Sequence, residues 1–183
     1  MVDLNLRLPD IAATTMFSPS ACDGSAAALV QWAHGVYQQH SARGSMRRAW
    51  AALRRQRRQL WRLQDLKPKS EHFAGLQTVE IDRIRGSEGR VVDFDIDFFP
   101  IGHHNRSRWM GIAMARKRGI TMPPVKLIQV GDLYFVRDGH HRISVARAFG
   151  QTFIEAEVTV WQVAGPLPWE APAPALAAQP VLA

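Results

Sequence analysis

The chain has 183 residues, 46% of them hydrophobic, with 23 Lys and Arg against 16 Asp and Glu, a formal charge of +7 and an isoelectric point near 10.5. That length suits one ordinary domain with peripheral segments, and the composition excludes collagen-like, repeat-array and wholly disordered chains. The single cysteine, Cys22, excludes an internal disulfide and a cysteine-rich metal site, while the charge favours a polyanionic partner such as nucleotide, nucleic acid or anionic membrane. No run approaches a membrane span, and the first ten residues lead into no secretory apolar core, so a cytoplasmic protein is expected.

Residues 1–22 read as irregular, broken at Pro9 and at Ser18-Pro19-Ser20. Asp23 is the expected N-cap of a helix from Ser25 to His40, with Leu29, Trp32, Ala33, Val36 and Tyr37 at helical spacing. Gly44-Ser45 then separates it from a second helix, Met46 to Leu66, closed by Pro68. Met46, Trp50, Leu53 and Leu60 mark its apolar stripe. Around them lie Arg43, Arg47, Arg48, Arg54, Arg55, Arg57, Arg58 and Arg62, with no acid until Asp65. This segment, 23–72, is a helical, arginine-rich extension. Its arginines Arg47, Arg54, Arg55, Arg57 and Arg58 are candidate nucleic-acid contacts, through the phosphate backbone. The competing reading is a solvated face whose arginine stems cover apolar surface.

Residues 73–161 read as the compact domain. Leu76 to Ile81 alternates as a strand, with Ile84 continuing its apolar face, and Gly86 to Gly89 is a loop. Asp93, Asp95 and Asp97 alternate with Phe94, Ile96 and Phe98. Paired carboxylates could hold Mg²⁺, but the favoured reading buries the apolar residues and turns the acids to water. Val91 to Asp95 also resembles the nucleophile strand of haloacid-dehalogenase-like phosphatases, although the rest of that pattern is missing. His103-His104-Asn105 falls in a loop. A helix spans Arg106 to Arg118, with Trp109, Ile112 and Ala113 on successive turns, and Gly119 stops it. Val125 to Val130 and Leu133 to Val136 are strands joined by the hairpin signal Gly131-Asp132. A helix from His141 to Phe149 and a strand from Phe153 to Val158 follow. Trp32, Trp50, Trp61 and Trp109 are expected in the core. Residues 162–183, rich in Pro and Ala, read as a disordered tail.

The chemistry concentrates at Asp138-Gly139-His140-His141-Arg142. A strand that turns on a glycine into a helix presents unpaired backbone N–H groups and partial positive charge, which suits phosphate. Gly139 allows the turn, Arg142 can fork onto phosphate oxygens, and His140 and His141 add donors near neutral pH. Asp138 as a plain N-cap with surface histidines is the bland alternative. A metal held by His140, His141, His103 and His104 is disfavoured, because neighbouring helix residues diverge by about 100°.

The stretch from Pro124 to Ala148, with its hairpin, Asp138-Gly-His-His-Arg142 turn and helix, resembles the second half of ParB/sulfiredoxin-like domains. The order of elements extends the resemblance back to Leu76, over roughly 73–161. It implies an α+β fold with a small mixed sheet and packed helices. It also implies a Gly-x-x-Arg element that binds a nucleotide or phosphorylated small molecule, with ATP, CTP or another nucleotide and Mg²⁺ as expected cofactors. Sulfiredoxins of this type place a catalytic cysteine where this chain has His140, so that chemistry is unavailable. By resemblance to free-serine kinases, Glu88 occupies the place of a catalytic base, and Arg90 resembles the loop arginine of partition proteins. After Val158 there is no room for a partition protein's DNA-reading or dimerisation domains. Chains of this kind are called ParB-like nucleases, a label that follows the fold and not an activity.

The expected function is nucleotide or phosphate binding at Gly139–Arg142, with phosphotransfer or hydrolysis as the catalytic form. In that form Glu88, His140 and His141 are the catalytic candidates, and Arg90, Asp138, Gly139, His140, His141 and Arg142 bind the phosphate. No metal site is expected. The alternative is a non-enzymatic DNA-binding or regulatory module using 46–66, and a homodimer is compatible with either.

Overall fold

The computed structural model describes residues 26–170. The Asp23 cap, Cys22, the irregular N-terminus and the tail beyond Glu170 lie outside the described residues. The architecture is α+β. The six strands are β1 (Trp61–Arg62), β2 (Pro68–Glu80), β3 (Ile84–Ser87), β4 (Val125–Val130), β5 (Leu133–Asp138) and β6 (Phe153–Val163). They form one mixed sheet in the order β1-β3-β5-β4-β6-β2. The β2–β6 and β4–β5 pairs are antiparallel, and β1–β3, β3–β5 and β4–β6 are parallel. The helices are α1 (Ala26–Leu53), α2 (Arg106–Lys117) and α3 (His140–Ala148). No helix among the described residues is long and apolar enough to cross a membrane.

The strand pattern follows from burial on both faces of the central strands. Along β4, Val125 and Leu127 join one cluster with Phe94, Phe98, Val136, Ile143, Ala156 and Val158. Ile128 and Val130 join another with Leu63, Phe135 and Leu167 on the opposite face. Each fully buried side chain of this size contributes about 1.5–3 kcal/mol. The helices cover the first face. Tyr37 of α1, Trp109 and Ala113 of α2 and Val145 of α3 form a third cluster between them.

Four expectations change. First, the two N-terminal helices are one: α1 runs unbroken through Gly44, whose missing Cβ leaves the space filled by the Phe99 side chain. A helical glycine costs only about 1 kcal/mol, and this packing offsets it. Second, that helix stops at Leu53 and not at Leu66. Arg55 adopts φ 53°, Gln56 N–H donates to Ala51 O (2.9 Å) and Arg55 N–H to Ala52 O (3.2 Å), a Schellman ending without its usual glycine. Residues beyond it run extended into β1. Third, the apolar stripe splits: Met46, Trp50 and Leu53 are exposed, and Leu60 is buried. Trp50 is therefore not a core residue. Fourth, the sheet is wider than 73–161, beginning at β1 and reaching Val163. Beyond it Leu167 is buried, and Trp169 packs on Trp61 and Phe135.

Candidate functional site

The strand β5 leaves the sheet at Asp138, and Gly139, at φ 104°, turns the chain into α3. The turn suits glycine twice over. A side chain there would be strained at that φ and would meet Val125. Gly139→Ala is expected to cost about 2–3 kcal/mol in a urea titration. Gly150→Ala, at φ 69° with open space around it, should cost clearly less. Equal losses would mean that crowding by Val125 is irrelevant.

His140 opens α3 and is buried. Its Nε2 lies 2.7 Å from Ser87 Oγ, which is itself fully buried at the end of β3. Ser87 Oγ accepts the amides of Gly89 (3.2 Å) and Arg90 (2.9 Å). Both lone pairs are thus engaged, so the hydroxyl donates to His140 Nε2, and the neutral ring carries its hydrogen on Nδ1. Burial, and then the charge of Arg90, pushes the His140 pKa down to about 4. Ser87 was not singled out from sequence. Its one signal is its position between the strand end and the Glu88-Gly89-Arg90 loop, where a serine often bonds its own backbone.

Beside this anchor is a cleft of about 260 Å³ lined by Arg90, Arg108, Ile112 and the Asp138–Arg142 turn. His141 lines it with a buried Nε2 that has no hydrogen-bond partner among the described residues. Burial, followed by the charges of Arg90 and Arg108, holds its pKa down to about 4. Arg90 pairs with Asp93 (3.2 Å), whose other oxygen meets His104 Nε2 (2.9 Å). Burial raises the Asp93 pKa, but His104, Asn105 and Arg90 together hold it below the ordinary range. Arg108 has no ion pair among the described residues and is exposed. It was also missed from sequence. Trp109 N–H donates to Ser144 Oγ (2.9 Å) and fixes α2 against α3. Arg108 flanks that contact and sits one turn before Ile112, which also lines the cleft.

The remaining candidates are placed differently. Arg142 is mostly buried. Its Nη1 donates to the carbonyls of Pro123 (2.5 Å) and Pro124 (2.9 Å), and Nη2 meets Asp138 Oδ2 at 2.5 Å. Its guanidinium ties α3 to the segment before β4. Glu88 pairs with Arg137 (3.2 Å) and does not line the cleft. Asp138 does not cap α3, since the N-cap is Gly139.

The arginine-rich segment is divided. Arg58 Nη2 meets Asp95 Oδ2 at 3.1 Å and Asp97 Oδ2 at 2.7 Å. Arg47 lies 3.4 Å from Asp97, and Arg48 3.8 Å from Asp95. Arg57 lies over the Trp61 ring at 3.9 Å and Arg54 over Trp50 at 5.7 Å. Arg54, Arg55 and Arg57 are exposed. The aspartates do not face water as expected. Asp95 is 1% exposed, and its Oδ1 accepts the amides of Asp97 and Phe99, both at 3.0 Å. The alternation fails because turns on either side of Phe94-Asp95, with Phe98 at φ 59°, make the segment a loop wrapped round the Asp95 carboxylate. Phe94 and Phe98 are buried as expected. Among the described residues no three His, Cys, Asp or Glu side chains group to hold a metal.

Fold and cleft define an α+β domain with a mixed sheet, helices on one face and a cationic cleft at the N-terminus of α3. The crystal structure of sulfiredoxin from Arabidopsis thaliana is similar over 45% of this chain and 82% of its own, at 16% identity and a TM-score of 0.35. So loose a likeness carries nothing beyond itself. No protein-family model matches the chain, and no curated protein does.

Proposed function

We propose that this is a ParB/sulfiredoxin-like domain that binds the phosphate of a nucleotide or phosphorylated small molecule in the cleft at α3. The observation that carries it is His141, whose buried Nε2 lacks a hydrogen-bond partner among the described residues and lies beside Arg90, Arg108 and the helix N-terminus. A phosphate would accept the first-turn amides of α3 and take its counter-charge from Arg108 and Arg90. Arg142 and Ser87 are positioning residues. With both histidines neutral at pH 7 and Glu88 held by Arg137, the chemistry supported best is binding, with transfer or hydrolysis as a further step.

Calorimetric titration with inorganic phosphate, and with ATP or CTP in Mg²⁺, tests this. Saturable heat is expected, and Arg108→Ala should weaken it about tenfold by removing a charge-assisted contact. The melting temperature should not change, because Arg108 has no ion pair among the described residues. Absence of both heat and thermal shift with all three ligands would end the proposal. The exposed Arg54, Arg55 and Arg57 beside exposed Trp50 favour a second reading, nucleic-acid contact. It requires DNA affinity that falls steeply with salt and is indifferent to Arg108→Ala.

A further inference from the structure

The strand β2 is a 13-residue edge strand whose one neighbour among the described residues is β6. It carries two large exposed apolar side chains, Phe73 at 68% and Leu76 at 62%. Three residues apart on a regular strand, they would point to opposite faces. Here a register shift between Phe73 and Gly75 changes the phase: Phe73 pairs with Thr159 and Leu76 with Glu157. The odd residues Trp161 and Val163 of β6 face away from the helices, and the even residues Ala156 and Val158 face the helix side. Phe73 and Leu76 therefore lie together on the face without helices.

We propose that β2 pairs antiparallel with β2 of a second copy of this chain, about a two-fold axis between Ala74 and Gly75. About that point the strand's facing pattern is symmetric, because the two bulges coincide. From Ser70 to Val79 every facing pair then points to the same side. In other registers the phase shifts fall out of step, and some facing pairs point opposite ways. Phe73 stands opposite the partner's Leu76, and Leu76 opposite the partner's Phe73. The four side chains cover one another at cross-strand distance. Charge agrees with the same register. Just beyond that stretch, where a second register shift lies between Pro68 and Ser70, the long Lys69 side chain comes within reach of the partner's Glu80; both residues are exposed, and neither has an ion pair among the described residues. No like charges face each other. An unpaired edge of this length is a template for another strand, and a second copy is the one whose pattern the edge matches.

Light scattering on the full chain should give twice the protomer mass of 20.5 kDa. Phe73→Glu or Leu76→Arg should yield monomers with unchanged circular dichroism, since both side chains are exposed. Lys69→Glu or Glu80→Lys alone should raise the dimer Kd roughly tenfold, and the double exchange should restore it. In a Cys22→Ser background, Phe73→Cys with Leu76→Cys should oxidise to a covalent dimer, which reads the register directly. A chain that stays monomeric overturns the proposal, including one whose β2 amides are protected because another segment covers the edge. So does a dimer indifferent to Phe73→Glu and Leu76→Arg, or charge reversals that the double exchange does not rescue.

Discussion

Arg58→Ala is expected to destabilise the protein by about 3–5 kcal/mol, the cost of removing the hydrogen-bonded counter-ion of a buried carboxylate, with Arg48 left 3.8 Å away. Arg58 holds both Asp95 and Asp97, and Asp95 is 1% exposed at the centre of the loop that seats Phe94 and Phe98 in the core. Burial raises the Asp95 pKa against the pull of the Phe99 amide and Arg58, so losing that arginine would drive the carboxyl further toward its neutral form. For Asp97, burial is outweighed by Arg58 and Arg85, and its pKa stays low. Urea unfolding would measure the effect, with Arg57→Ala as control: among the described residues Arg57 only stacks on Trp61, and its loss should cost about 1 kcal/mol or less. A variant Arg58→Ala within 1 kcal/mol of the parent (about the size of that control effect) would show that this arginine is a solvated surface charge after all.

Acid should unfold the protein well above the usual carboxylate range. His40, His140 and His141 are each held from 6.5 down to about 4, chiefly by burial, with neighbouring arginines adding to it. The unfolded chain takes up these protons near 6.5 and the folded chain only near 4. Between those values the unfolded state carries more protons, so stability falls as pH falls. Each histidine accounts for about 3 kcal/mol across that window, less than additively for the neighbours His140 and His141, which both feel Arg90 and couple to each other. Unfolding free energy measured from pH 7 to 4 should therefore decline steeply. Replacing His141 with glutamine should flatten the curve, and an unchanged slope would contradict its burial as a neutral ring. Phosphate binding should run the other way. An anion beside His141 favours the protonated ring, so affinity should rise as pH falls toward 5 while the protein stays folded.

Much of the sheet was legible from local pattern. The Val125–Val130 and Leu133 hairpin strands, the α2 span and the start of α3 follow from apolar periodicity, Gly131-Asp132 and Gly139, which act over a few residues. The same locality located the Asp138–Arg142 turn. What each side chain does there was not legible. Arg142, chosen as a phosphate fork, is spent on Pro123, Pro124 and Asp138. Ser87 and Arg108 come from β3 and α2, and no spacing in the chain joins them to α3.

The arginine-rich segment shows the same division. Sequence alone determined that it is dense in positive charge beside apolar residues, and that acids recur at Asp93, Asp95 and Asp97. Only the tertiary structure decided that these two sets meet, because a buried ion pair depends on where two distant segments cross and not on either composition. It likewise decided that α1 continues through Gly44 and stops at Leu53, capped by Arg55, since packing against Phe99 and backbone capping outweigh a propensity of about 1 kcal/mol.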